Sequence, residues 1–69
     1  MSYTIYEGYE LSADGASPIA TGLSRADALA LAKDILHRAI RDGRMVVQYR
    51  SHEWAIDDSI WLFVTKDAA

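Results

Sequence analysis

Five consecutive residues, Ile60-Trp61-Leu62-Phe63-Val64, are apolar without interruption. Side chains alternate between the faces of a strand, so Ile60, Leu62 and Val64 share one face while Trp61 and Phe63 share the other. Such a strand needs cover on both sides of its sheet. The rest of the chain offers a single amphipathic helix, which covers one side only. The remaining side must meet a partner, a second copy or water.

The helix is marked at both ends. Ser24 is a favourable N-cap, and Asp27 stands three residues on, where a carboxylate suits the positive end of the helix dipole. Leu23 precedes the cap and can pack on Ala28 as a hydrophobic staple. Ala28, Leu29, Leu31, Ala32, Ile35, Leu36, Ala39 and Ile40 fall within an arc of about 180°. Lys33, Asp34, His37, Arg38 and Arg41 fill the opposite side, with Asp34 and Arg38 as a favourable i,i+4 pair. Gly43 is placed to end the helix in a left-handed C-cap. Ala28, Ala32 and Ala39 give the buried stripe a slim centre, which lets the helix lie close on a sheet.

Strand patterns flank the helix. Tyr3 to Leu11 alternates, with a bulge or twist expected near Gly8, and Ser12 to Ser17 is a turn centred on Asp14-Gly15. Pro18 to Leu23 forms a short return strand. Met45 to Tyr49 resumes the β pattern, and the chain is expected to stay extended to Ile56, turn at Asp57-Asp58 and return from Ser59 to Lys66. A two-residue turn there sets Trp54 opposite Trp61 and His52 opposite Phe63, all on one face. Asp-Asp is not the preferred Asn-Gly or Asp-Gly pair, which leaves a longer loop open. The expected order is β-β-α-β-β: an α+β, two-layer single domain over residues 1–69, with an antiparallel sheet of about four strands and one helix on one face.

Sixty-nine residues stand near the lower limit for a self-sufficient core, and no cysteine is present to staple it. The 51% hydrophobic and 25% charged fractions are those of a globular domain. No apolar run reaches membrane-spanning length, and the N-terminus lacks the pattern of a secretion signal, so a cytoplasmic protein is expected. The net charge of −3 disfavours general affinity for nucleic acid and suits a protein partner with a basic surface.

Four constellations invite chemistry. His52-Glu53 lacks the second histidine of a zinc-binding helix. Asp57-Asp58, with Glu53 nearby, could form an acid–base pair only within a cleft that separates their pKa values. Neither the serines nor the four scattered glycines form a nucleophile or phosphate-loop pattern. No catalytic, metal or cofactor site is therefore expected, and the chain reads as a non-enzyme. Arg38, Arg41, Arg44 and Arg50 carry the case for nucleic acid, with Trp54, Trp61, Phe63 and Tyr6 as a stacking platform. The helix dipole alone accounts for the basic residues at the helix end.

The aromatic face weighs most. Trp54, Trp61 and Phe63 would each bury about 150–250 Å² against a partner, with Asp57 and Asp58 as acidic rim contacts to its basic surface. The expected function is a non-enzymatic protein-binding module acting by steric occlusion. Its alternatives are a nucleic-acid binder using the arginines, and a homodimer whose sheet faces pack together. The competing account of the same residues is that strand twist, the Arg50 stem and tyrosine side chains cover the face within the monomer.

The run Ile19 to Lys33, followed by Gly43-Arg44-Met45-Val46-Val47, resembles a pattern of small bacterial and phage proteins. In these a strand feeds a Ser-x-x-x-Ala-x-x-Ala helix that returns through a glycine to a Val-rich strand. The β-β-α-β-β layout is similar to that of some phage-encoded anti-CRISPR inhibitors of type I systems. The resemblance implies a non-catalytic inhibitor that occupies a protein surface, and it assigns no individual residue.

Overall fold

The computed structural model describes residues 2–9 and 15–67. The expected turn over Ser12 to Ser17 is therefore seen only from Gly15 onward, and Glu10 and Leu11 of the first expected strand lie outside the described residues. Six elements follow one another: β1 (Tyr3–Gly8), β2 (Ser17–Leu23), α1 (Arg25–Arg41), β3 (Val46–Arg50), β4 (Glu53–Ile56) and β5 (Ile60–Lys66). The sheet is antiparallel throughout, in the order β2-β1-β5-β4-β3. The α+β class holds, with five strands where about four were expected. The doubly apolar segment is the central strand, β5.

The fifth strand arises because Met45 to Ile56 does not run straight. It folds back at Ser51-His52, and β3 and β4 pair as a hairpin. No Gly, Pro or Asn announces this turn. The Gln48 side chain supplies what such residues usually provide: its Nε2 donates to the Arg50 carbonyl at 3.1 Å and reaches the Ser51 carbonyl at 3.5 Å. Within β3 the register slips by one residue, so that Tyr49 and Arg50 together oppose Glu53.

The β4–β5 turn is also longer than the two-residue form. Ile56 pairs with Ile60, so the loop has three residues, Asp57-Asp58-Ser59. Asp57 and Asp58 both adopt left-handed φ, 55° and 56°, and the Ser59 N–H donates to the Ile56 carbonyl at 3.1 Å. That is the handedness of a hairpin turn of the mirror-image type, followed by one extra residue. One added residue reverses the facing of every side chain before it. Trp54 consequently pairs with Leu62 and Ala55 with Trp61, while Glu53 replaces His52 opposite Phe63. Trp54 thus belongs to the helix side of the sheet, not to the face that carries Trp61.

The helix covers that side. Ala28, Ala32, Leu36 and Ala39 are buried against Ile5, Trp54, Ile56, Leu62 and Val64, with Ile5 and Leu62 the largest fully enclosed side chains. Within this cluster the Trp54 indole is almost wholly covered. Burying each large apolar side chain contributes roughly 1.5–3 kcal/mol. The buried arc is narrower than the apolar pattern: Leu31 and Ile40, at its two margins, are exposed.

Both helix ends behave as their residues direct. The Ser24 hydroxyl accepts from the Asp27 N–H at 3.1 Å. At the other end Gly43 (φ +82°) lets its own N–H reach the Ile40 carbonyl and the Arg44 N–H reach the Ala39 carbonyl, the paired bonds of a Schellman motif.

The bulge expected at Gly8 is absent. β1 runs in unbroken register along β5, ending with Gly8 opposite Trp61. The irregularities fall on β2 instead, where Ile19 and a residue of the Thr21-Gly22 pair are extra to the β1 register. Gly22, at φ +67°, supplies the conformation this requires.

Candidate interaction surface

The register decides what lies on the face opposite α1. Cross-strand partners share a face, so one row runs Tyr6, Phe63, Glu53 with Arg50, and the next runs Gly8, Trp61, Ala55, Val47. Phe63 and Ala55 are buried, yet they stand apart from the cluster beneath the helix. Their own sheet neighbours enclose them. Phe63 lies between Tyr6 and Glu53, and the Glu53 carboxylate pairs with Arg50 at 3.4 Å. Phe63 is therefore floor, not anchor.

Trp61 is the half-buried centre of this face. Gly8 opposite it has no side chain, which leaves room for the indole, and Gly8 is itself buried. On the other side the bulge turns Tyr49 toward Trp61, with ring centroids 4.9 Å apart and planes at 52°. Tyr49 is 50% exposed, and Met45 and Val47, of the same parity on that strand, are 64% and 39% exposed. The surface so formed is an aromatic pair with an aliphatic margin toward the sheet edge. Of the three aromatic residues expected on it, the structure places Trp61 and Phe63 there and removes Trp54. Tyr49, Val47 and Met45 were missed as surface residues, although the alternation of Met45-Val46-Val47-Gln48-Tyr49 carries the signal.

The two turn aspartates differ. Asp57 is a local clamp: one carboxylate oxygen accepts from the Met45 N–H at 2.9 Å and the other from Arg44 Nε at 3.0 Å, while its own N–H donates to the Met45 carbonyl at 2.8 Å. Its charge is committed to holding the start of β3 against the β4–β5 turn. Asp58 is exposed at the tip of the same turn. Glu53 is held by Arg50 and Asp57 by Arg44, while Asp58 is exposed, so the three carboxylates expected as a possible acid–base group are not gathered into one site.

Arg38, Arg41 and Arg44 lie together around the end of α1, Arg38 lining one depression with Arg44 and another with Arg41, whereas Arg50 stands apart at the far end of β3. Arg38 pairs with Asp34 at 3.1 Å along the helix, Arg44 with Asp57, and Arg50 with Glu53. Arg44 and Arg50 stand at opposite ends of β3, and Arg50 opposes Glu53 on the face away from the helix. Arg38 and Arg44 border a groove of about 230 Å³ between the end of α1 and the sheet, together with Glu7 and over a floor that includes Ile35, Ile56 and Ile60. The aromatic pair lies on the other side of the sheet from this groove. The expected combination of basic cluster and stacking platform is not brought together.

A polar cluster joins the two ends of the central strand pair. The Asp67 carboxylate accepts from the Ser2 and Thr4 hydroxyls, each at 2.6 Å, and its N–H donates to the Ser2 carbonyl at 3.0 Å. These two hydroxyl donors hold the Asp67 carboxyl below its ordinary pKa. Among the described residues, no group of three or more His, Cys, Asp or Glu side chains is placed to hold a metal ion, and no helix is long and apolar enough to cross a membrane. No family model, curated protein or solved structure matches the chain.

Proposed function

We propose that this chain is a non-enzymatic protein-binding domain that acts by occluding a surface of its partner, in the manner of phage-encoded inhibitors of bacterial defence complexes. The observation that carries the reading is the Trp61–Tyr49 pair on the sheet face that α1 leaves uncovered. Tryptophan and tyrosine are the side chains that most often dominate binding energy at protein interfaces, because each offers a large rigid surface with few rotors to freeze. Val47 and Met45 extend the apolar area toward the sheet edge. The net charge of −3 favours a partner with a positive surface, through faster and more selective encounter.

The test compares the native chain with a Trp61→Ala, Tyr49→Ala double variant, each immobilised and exposed to bacterial extract. Proteins captured by the native chain are identified by mass spectrometry, purified and bound back directly. Loss of that direct binding in the double variant, with helical circular dichroism unchanged, is the expected outcome. Undiminished binding by a folded double variant removes this face from the function.

A further inference from the structure

We infer that β3 is a self-pairing edge, along which two copies of this chain join their sheets antiparallel about a two-fold axis at Val47. The inference is carried by the backbone of the edge strand, and its contact shares Met45, Val47 and Tyr49 with the margin of the aromatic face.

A sheet has two edges, and here they differ. β2 carries Pro18, which has no N–H, two register slips and a glycine at positive φ, all of which spoil a template for pairing. β3 runs Val46-Val47-Gln48-Tyr49-Arg50, without proline and without charge before its last residue, and is regular until the slip at Tyr49. Its outward groups follow from its inward ones. Met45 turns both its N–H and its carbonyl toward Asp57. Alternation then turns those of Val47 toward β4 and those of Val46 and Gln48 away from the sheet. The Gln48 side chain is occupied by the turn carbonyls and leaves its own backbone uncovered.

Two outward residues separated by one inward residue are self-complementary in one antiparallel register. Val46 of one copy faces Gln48 of the other, and the reverse, which makes four backbone hydrogen bonds around a Val47–Val47 contact. The same register sets Met45 against Tyr49 of the second copy. These are the exposed apolar residues of this edge, and the pairing covers each with another. Arg44 and Arg50 flank the contact, but each already carries a carboxylate partner, Asp57 and Glu53, so the ends meet as ion pairs rather than bare charges. A contact this short lies near the lower end of specific interfaces, about 1,000 Å² in total. The dimer is accordingly expected to be reversible.

Sedimentation equilibrium from about 1 µM to 1 mM brackets reversible association of this strength, and the mass should rise from 7.7 kDa toward twice that value. Val47→Lys sets two ammonium groups against each other across the axis and should leave a folded monomer throughout. Val47→Glu should do the same, and mixing the two variants should restore a dimer. Because the chain has no cysteine, Val47→Cys treated with oxidised glutathione, which takes up the two electrons and leaves as reduced glutathione, should form a covalent dimer, since directly opposed residues of a non-hydrogen-bonded pair stand about 4.5 Å apart at Cα. Thr65→Cys, also exposed but away from this edge, should not. A native chain that remains monomeric over the whole range overturns the inference. So does a dimer that survives Val47→Lys, which would show that another surface, such as the aromatic face, mediates it.

Discussion

Tyr49 and Trp61 touch ring to ring at 4.9 Å although they are not register partners. Trp61 sits opposite Ala55, and Ala55 opposite Val47, so Tyr49 reaches the indole diagonally across β4. The slip that makes Tyr49 and Arg50 share Glu53 provides that reach. A bulge near the end of an edge strand therefore organises the centre of the uncovered face.

The pair should be energetically coupled. A double-mutant cycle of Tyr49→Ala and Trp61→Ala, read by urea unfolding, should give a coupling of about 0.5–1.5 kcal/mol. A value near zero would mean that the two rings merely coexist.

The two tryptophans should respond differently. Trp54 is 8% exposed beneath the helix, and Trp54→Ala should cost about 3–5 kcal/mol and threaten folding outright. Trp61→Ala, on the uncovered face, should cost about 1–2 kcal/mol and leave the helix intact. Tryptophan fluorescence of single-Trp variants gives an independent check: Trp54 should resist acrylamide quenching, and Trp61 should not.

Asp57 and Asp58 share a left-handed backbone but should diverge on substitution. Asp58→Gly relieves an unfavourable φ and should raise stability by roughly 0.5–1 kcal/mol. Asp57→Gly relieves the same strain but loses the bonds to Met45 and Arg44, and should lower it. Denaturant midpoints of the two variants should fall on opposite sides of the native value.

Acid should release the Asp67 cluster. Its folded pKa lies below the unfolded one, so the stability it contributes is fully present at neutral pH. That contribution begins to fall as the pH nears the ordinary carboxylate value, about 3.9, and is gone below the folded pKa. The gap in denaturation midpoint between the native chain and Asp67→Asn should therefore be widest near neutrality and shrink under acid conditions. A constant gap would assign the effect to something other than titration.

Local chemistry made parts of this architecture readable in advance. Ser24, Asp27 and Gly43 mark the helix because each satisfies or terminates a nearby backbone group, and those effects need no distant contact. The facing of Trp54 was not readable in the same way, because it depends on whether the loop before Ile60 holds two residues or three. Asp-Asp encodes neither length, since aspartate tolerates left-handed φ without demanding it. The Ser51-His52 turn was hidden for a related reason. Its carbonyls are satisfied by the Gln48 side chain, which reads locally as an ordinary strand residue. For the uncovered face, β5 placed Trp61 and Phe63 there, but which rings stand open depended on the neighbouring strands: Phe63 is buried, Trp61 is half-buried beside Tyr49, and the exposed ring is Tyr49 itself.

The strand at the middle of the sheet is the last of the six elements along the chain. During synthesis the β1/β2 and β3/β4 hairpins emerge with their inner borders vacant, bridged by α1 but not joined as a sheet until β5 slots between. Assembly thus resembles closing a zip from the centre, with completion of the tertiary structure deferred to the moment β5 leaves the ribosome. A nascent chain halted before Ile60 should remain open to proteases, whereas release of a few more residues should convert the whole to a resistant form.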